Sequence, residues 1–325
     1  MFRTTIAVLA ATVAAIAAAA PVQAATHPPT PCVTNGTVYE VGVNCRTVEV
    51  DGIDRRYIVY VPDRRPVTGG RTPVVFMFHG TGGDGERFLR TSGWREQADA
   101  TGLVAVFPTA LRYRVLESGR RKTKWNGFGL EDKIDLDERP RGYPDDAPMP
   151  ADDVGFVDRM LADLDAQLPV DAHRIYAAGF SNGADFAGRL SIERSDRIAA
   201  AAYSAGGLSE PQSPDRPVPT AVTLGTRDDH ILEGTGLDEL PLDPFEILAS
   251  PIVGPFLDAN LATFGLDPDR FGVIARRRTT TLRWPASGHG PNDAVFQFRM
   301  VAGVHHKYAN AAPAAWSFFV QHRLQ

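Results

Sequence analysis

One pentapeptide constrains this chain more than any other stretch. Gly179-Phe180-Ser181-Asn182-Gly183 stands between an apolar run, Arg174–Phe180, and a helical pattern over Asn182–Arg194. A serine flanked two positions away on each side by glycine predicts a sharp strand-to-helix turn. The Ser181 side chain is then exposed at the carboxyl edge of a sheet. The glycines follow from sterics, because a Cβ at either position would collide with a neighbouring strand or helix. The same turn aims the Asn182 N–H, at a helix N-terminus, toward negative charge developing on a bound carbonyl. It needs a strand ending inside a sheet and a helix packing back against that sheet.

Both are supplied along the chain. Cys45–Val50 and Ile53–Val61 flank Asp51-Gly52, a strong hairpin signal. Pro73–Phe78 and Leu103–Phe107 are continuous apolar runs, as expected of strands buried on both faces, and residues 87–101 between them read as helix. Asp152 or Asp153 caps a helix running to about Leu168, with Phe156, Met160, Leu161 and Leu164 on its apolar stripe. Strands near Ala199–Ser204 and Thr220–Leu224 follow, then a hairpin of Thr279–Trp284 with Ala294–Val301, and a closing helix over Pro313–His322. Residues 109–151 and 231–275 lack clear periodicity and read as insertions. The series is βαβ-like, so the predicted class is α/β with a mostly parallel central sheet flanked by helices. At 43 % hydrophobic and 22 % charged residues the composition is globular, and a net charge of −5 leaves no basic field for a phosphate backbone, which argues against a nucleic-acid partner.

The first 24 residues read as a secretory signal. Arg3 precedes an apolar run from Ile6 to Ala20, followed by Pro21 and the small-x-small step Val22-Gln23-Ala24. The apolar run is shorter than the ~20 residues of a spanning helix, so no membrane anchor is expected after cleavage. In an exported chain the two cysteines, Cys32 and Cys45, are expected to pair and so tie down an N-terminal segment, residues 25–44, contributing about 3 kcal/mol in the chain-entropy picture. Residues 45–325 then form a single catalytic domain.

An exposed serine becomes a nucleophile only when a base takes its proton. In a turn of this type the acid and then the histidine follow the serine in the chain. Asp228 and Asp229 stand in the loop after the strand Ala221–Leu224, and either could hold an imidazole. His305 and His306 directly follow the strand Ala294–Val301, at the edge that faces the turn. His230 adjoins the acid candidates and reads as lining the pocket rim, while His322 reads as a solvated residue of the last helix. Upstream, Phe78-His79-Gly80-Thr81-Gly82-Gly83 follows a buried strand, and its Thr81 N–H is placed to face that of Asn182 across an oxyanion. The acidic stretch between Glu131 and Asp153 lacks a calcium-loop pattern and reads as solvated, so no metal is expected.

Taken together, HGTGGDG (79–85), WN (125–126), DDVGFV (152–157), VDAHRIYAAGFSNG (170–183), GTRD (225–228) and GVHHKYAN (303–310) resemble the secreted α/β-hydrolase esterases of the polyhydroxybutyrate depolymerase type, to which feruloyl and acetylxylan esterases are related. The resemblance spans roughly residues 45–322 and implies the α/β-hydrolase fold. It implies Ser181 as nucleophile, Asp228 as acid and His306 as base, with Thr81 and Asn182 as oxyanion donors. His305 stands where the family has glycine, and His79, Trp125 and His305 are expected to contact substrate. Asp152 and Asp153 read as a structural cap near the turn.

The expected activity is therefore a secreted, extracellular or periplasmic, serine carboxylesterase that needs no cofactor. Its substrates would be short hydroxyalkanoate oligomers or feruloyl and acetyl esters of plant cell walls. Only nineteen residues follow His306, too few for a linker and a polymer-adsorbing domain, which favours soluble substrates over granules. A serine peptidase on the same fold and a non-catalytic secreted binding protein are the rival readings, and oligomeric state is left open.

Overall fold

The structure, a computed structural model, describes residues 36, 38–64, 70–286, 294–308 and 311–324. The predicted signal segment and Cys32 lie outside these residues; Cys45 is buried in the first strand. The strands in chain order are β1 (Gly42–Val50), β2 (Ile53–Val61), β3 (Thr72–Phe78), β4 (Val104–Pro108), β5 (Arg112–Val115), β6 (Arg120–Thr123), β7 (Val170–Phe180), β8 (Ala200–Ser204), β9 (Thr220–Gly225), β10 (Gly272–Arg276), β11 (Thr279–Pro285) and β12 (Ala294–Val301). The helices are α1 (Gly85–Thr91), α2 (Trp94–Thr101), α3 (Asp153–Gln167), α4 (Asn182–Glu193), α5 (Asp229–Leu232), α6 (Pro244–Ala249), α7 (Gly254–Phe264) and α8 (Ala312–Phe319).

Ten strands form one sheet in the order β1-β2-β4-β3-β7-β8-β9-β12-β11-β10. The six from β4 to β12 run parallel, and an antiparallel pair closes each side. The buried runs show why the centre is parallel. In β3, Val74, Phe76 and Phe78 pack into the cluster that contains the apolar faces of α3, α4 and α7, while Val75 and Met77 pack into the opposite cluster with Trp94, Phe318 and Phe319. A strand that alternates between two cores reads as uninterrupted hydrophobic sequence. The Asp51-Gly52 turn has both residues at positive φ (52° and 73°), the geometry of a two-residue hairpin turn.

Several boundaries differ from expectation. The helix expected over 87–101 is two, because Gly93 at φ 80° ends one path and starts α2. The insertion at 109–151 carries the hairpin β5–β6, built from Arg- and Lys-rich strands over a small apolar cluster of Tyr113, Leu130, Ile134, Tyr143, Ala147 and Ala151. The insertion at 231–275 contains α6, α7 and most of β10, an edge strand that leaves Val273 and Ile274 exposed. His322 follows α8 with its ring against Phe318 (centroids 4.5 Å apart), and burial lowers its pKa to about 4. It is half-buried where a solvated side chain was expected.

The glycines of the turn are sterically obligatory. A Cβ on Gly179 would lie 2.1 Å from the Gly183 carbonyl oxygen, and one on Gly183 would lie 2.3 Å from that of Phe78. Both obstacles are backbone and cannot swing away. Gly179→Ala is expected to cost about 3 kcal/mol or more, read as a loss of soluble, cooperatively unfolding protein. A variant that melts with the parent would contradict the packing.

Candidate active site

Every parallel strand points its carboxyl end at one edge of the sheet, and the site is assembled there. Ser181 sits between β7 and α4 at φ 52°, ψ −127°, a conformation that L-residues hold only under constraint, at a cost of about 1–3 kcal/mol. The constraint is visible: the Ser181 N–H donates to the Ser204 carbonyl (2.9 Å), and its own carbonyl accepts from Ala184 (2.7 Å) and Asp185 (3.1 Å). Asp228 follows β9, is fully buried, and caps α5 by accepting from the Ile231 N–H. His306 follows β12. Its backbone N–H donates to Asp229 Oδ1 at 3.1 Å, so the two adjacent aspartates divide the work of fixing one residue.

The three side chains form a continuous chain. Ser181 Oγ lies 3.0 Å from His306 Nε2, and His306 Nδ1 lies 2.9 and 3.0 Å from the two Asp228 carboxylate oxygens. With Nδ1–H donating to the carboxylate, Nε2 is free to accept from the serine hydroxyl. The imidazole is flanked by Phe180 (centroids 5.0 Å apart) and by His230 (4.1 Å), which limits its rotation. His305 is exposed beside it and takes no part in the chain.

The N–H groups of Thr81 and Asn182 have no acceptor among the described residues, as is needed for donors that wait for a ligand. The Asn182 side chain is occupied elsewhere, accepting from the Trp125 N–H (2.7 Å) and donating to the Trp125 carbonyl (3.1 Å). The next residue, Asn126, donates its backbone N–H to Asp153 (2.6 Å) and its side-chain amide to Ala151 (2.9 Å). Asp153 is itself buried in an ion pair with Arg55. Asp152 supplies the helix cap, accepting from Gly155 at 2.8 Å. The Trp-Asn and Asp-Asp pairs are thus one brace running from β2 through α3 to the first residue of α4.

His79 and Trp125, expected to contact substrate, are both fully buried, and their polar atoms are engaged within the protein. His79 Nδ1 faces its neighbour's carbonyl at Gly80 (2.8 Å), Nε2 accepts from the Ala110 N–H (3.1 Å), and the Trp125 indole N–H donates to the His79 carbonyl (2.9 Å). They hold the loop that follows β3 to the core. A residue that the sequence analysis passed over is Asp185, one turn after Ser181 on α4. It accepts from the Gly207 N–H (3.1 Å), and burial raises its pKa, against the opposing pull of Lys133, Lys124 and His306. Its signal was its spacing, i+4 from the serine. Among the described residues no cluster of His, Cys, Asp and Glu is arranged to hold a metal.

Burial lowers the pKa of His79 to about 4. The unfolded chain, at an ordinary imidazole value, takes up a proton that the fold refuses, so stability is full above about pH 6.5 and is lost as pH falls toward 4. This residue alone contributes about 3 kcal/mol to that loss, and His322 acts in the same direction. Urea unfolding of His322→Gln should therefore still show a steep fall over this window. A flat profile would contradict the neutral, doubly bonded His79.

The chain has the α/β-hydrolase fold, with a serine–histidine–aspartate chain at its strand-to-helix turn. No family model matches the chain. It is 30 % identical over 216 residues, 66 % of its own length and 53 % of the other's, to NocK of Nocardia uniformis subsp. tsuyamanensis, a protein that carries an esterase's name. It is 35 % identical over 96 residues, 28 % of its own length and 18 % of the other's, to feruloyl esterase B of Piromyces equi. The chain spans about half the length of NocK and less of the second. Among solved structures, the acetyl xylan esterase from Aspergillus awamori superposes with a TM-score of 0.53 at 11 % identity, covering 86 % of this chain and 99 % of that one. The fold is shared with that enzyme at an identity too low to carry more than the fold.

Proposed function

We propose that this chain is a serine carboxylesterase. The observation that carries the reading is the unbroken hydrogen-bond chain from Ser181 through His306 to buried Asp228, set at a strained turn beside two unengaged N–H groups. The esterase names of the relatives support it. Ser181 Oγ attacks the ester carbonyl carbon as its proton passes to His306 Nε2, and Asp228 stabilises the imidazolium. The carbonyl oxygen becomes an oxyanion held by the Thr81 and Asn182 N–H groups, each worth about 3 kcal/mol in the transition state. The C–O bond to the alcohol breaks, the alkoxide takes the proton from His306, and an acyl-serine remains. Water, deprotonated by the same imidazole, then attacks the acyl carbon, and Ser181 leaves with the proton restored.

The substrate classes that fit the sequence resemblance are short hydroxyalkanoate oligomers and feruloyl or acetyl esters. Export through the N-terminal signal and a Cys32–Cys45 disulfide complete the reading. Turnover of a panel of 4-nitrophenyl acyl esters, methyl ferulate, acetylated xylan and hydroxybutyrate oligomers, set beside peptide anilides, tests it. Hydrolysis of at least one ester class with anilides untouched is expected. Cleavage of the anilides alone would overturn it.

A further inference from the structure

A cleft of about 720 Å³ opens beside the oxyanion loop, lined by Thr81, Gly82 and Gly83 at one end. One of its walls is the hairpin β5–β6 with the segment that follows it. From residue 109 to residue 141 the charged groups lining the cleft are Arg112, Arg121, Lys122 and Arg141, with no acidic side chain among them. The acids that reach the cleft, Asp54, Asp84 and Glu86, belong to β2 and to the start of α1, and β2 also brings Arg56 and Arg55, the latter paired with Asp153. Asp84 is engaged as the cap of α1, accepting from the Arg87 N–H at 2.7 Å. Arg121 is held by Glu138 (2.8 Å) and the Arg139 carbonyl (3.2 Å), which fixes its guanidinium. Lys122 and Arg141 form no ion pair with a described residue. In a chain of net charge −5, a one-sided wall of cations is a local reversal of sign.

This wall is fastened to the site. The Gly82 N–H donates to the Thr123 carbonyl (2.9 Å), and the Thr123 hydroxyl donates to the Gly83 carbonyl (2.6 Å). The end of β6 is therefore tied to the loop whose Thr81 N–H faces the reacting carbonyl. An ester seated on that N–H would meet the end of the cleft that Thr81 lines.

We propose that the cleft binds a carboxylate on the non-reacting arm of the substrate, so that the esters preferred are anionic. The proposal rests on the esterase reading and deepens it. Guanidinium groups match a carboxylate in shape and charge, and a wall of one sign raises both the local concentration and the orientation of an anion. The opposed acids repel it and set its direction in the cleft.

Two matched pairs of esters, each differing by one charge, provide the test. With 4-nitrophenyl hydrogen glutarate against 4-nitrophenyl methyl glutarate the carboxylate is on the acyl side. With 3-acetoxybutyrate against its methyl ester it is on the alcohol side. In at least one pair the anion is expected to have a kcat/KM about tenfold higher at low ionic strength, with the ratio shrinking at about 0.5 M salt. The charge reversals Lys122→Glu and Arg141→Glu should lower that ratio about tenfold when combined. Equal or better turnover of the neutral ester in both pairs would overturn the proposal.

Calorimetry on Ser181→Ala separates the cleft from the chemistry. Monomethyl glutarate is expected to bind more tightly than dimethyl glutarate, and the preference should vanish when Lys122→Glu and Arg141→Glu are combined. No preference for the anion would overturn the proposal. If binding behaves as expected but no ester is turned over by the parent protein, the esterase reading fails and the anion site stands.

Discussion

Ser181→Ala is expected to lower kcat/KM toward 4-nitrophenyl esters by about 10⁶, to the level set by the oxyanion donors and binding alone. The size follows from the geometry. His306 Nε2 has the Ser181 hydroxyl 3.0 Å away as its partner, and alanine leaves the base with nothing to deprotonate. Folding should be nearly unaffected, since the hydroxyl caps no helix and its loss leaves the backbone bonds of the turn intact. Ser181→Gly, equally inactive, should be more stable than the alanine variant by about 1 kcal/mol, because glycine tolerates φ 52° and alanine does not. Steady-state rates and thermal melts of the two variants check both points. An alanine variant with more than a few per cent of the parent rate would require another nucleophile.

Asp228→Asn is expected to lower kcat by about 10⁴ with little change in KM. The carboxylate receives Nδ1–H through both oxygens, is fully buried, and so fixes the tautomer that leaves Nε2 bare. An asparagine amide can present a donor to Nδ1. The proton then sits on Nε2, and the base cannot accept from serine. Asp229→Asn offers the control: that carboxylate accepts from the His306 backbone N–H and not from the imidazole, and its pKa is lowered first by this bond and then by one from its own backbone N–H. Its loss should cost far less. Comparable losses from the two variants would mean that the acid has been assigned to the wrong residue.

How much of this was legible in the sequence depended on whether a residue's role is dictated by the backbone or by a packing choice. The turn at Ser181 could be read because Gly179 and Gly183 admit no alternative, and β3 and β4 because strands buried on both faces must be apolar throughout. The order serine, acid, histidine, with the base expected on the loop just after the last strand, pointed to His305 or His306, and the resemblance favoured the second. Which face a ring takes is a different matter. His79 precedes Thr81 by two positions and Trp125 belongs to one of the resembling motifs, but the backbone N–H of Ala110 and the ring of Phe186 claim them for the core. Nothing local separates a core tryptophan from one lining a pocket. The hairpin β5–β6 was missed because its exposed residues are arginine and lysine, which hide a period-two pattern in which only Tyr113 and Val115 are buried. The same cations, once folded, form the wall beside the oxyanion loop.

The brace through Arg55, Asp153, Asn126 and Asn182 illustrates a third kind of legibility. Each motif was visible alone, yet their connection required distances. In the proposed mechanism Asn182 offers its N–H to the oxyanion while its side chain is bolted to Trp125, so one residue would serve both the chemistry and its support.

The central claim is that Ser181 is an activated nucleophile. Reaction with a fluorophosphonate followed by peptide mapping reads this directly, because only a deprotonated hydroxyl displaces fluoride at useful rates. One phosphonyl group on the peptide containing Ser181, absent from Ser181→Ala and slowed in Asp228→Asn, is the predicted result. An unlabelled Ser181 in folded protein that still hydrolyses esters, or a label on another serine, would contradict it.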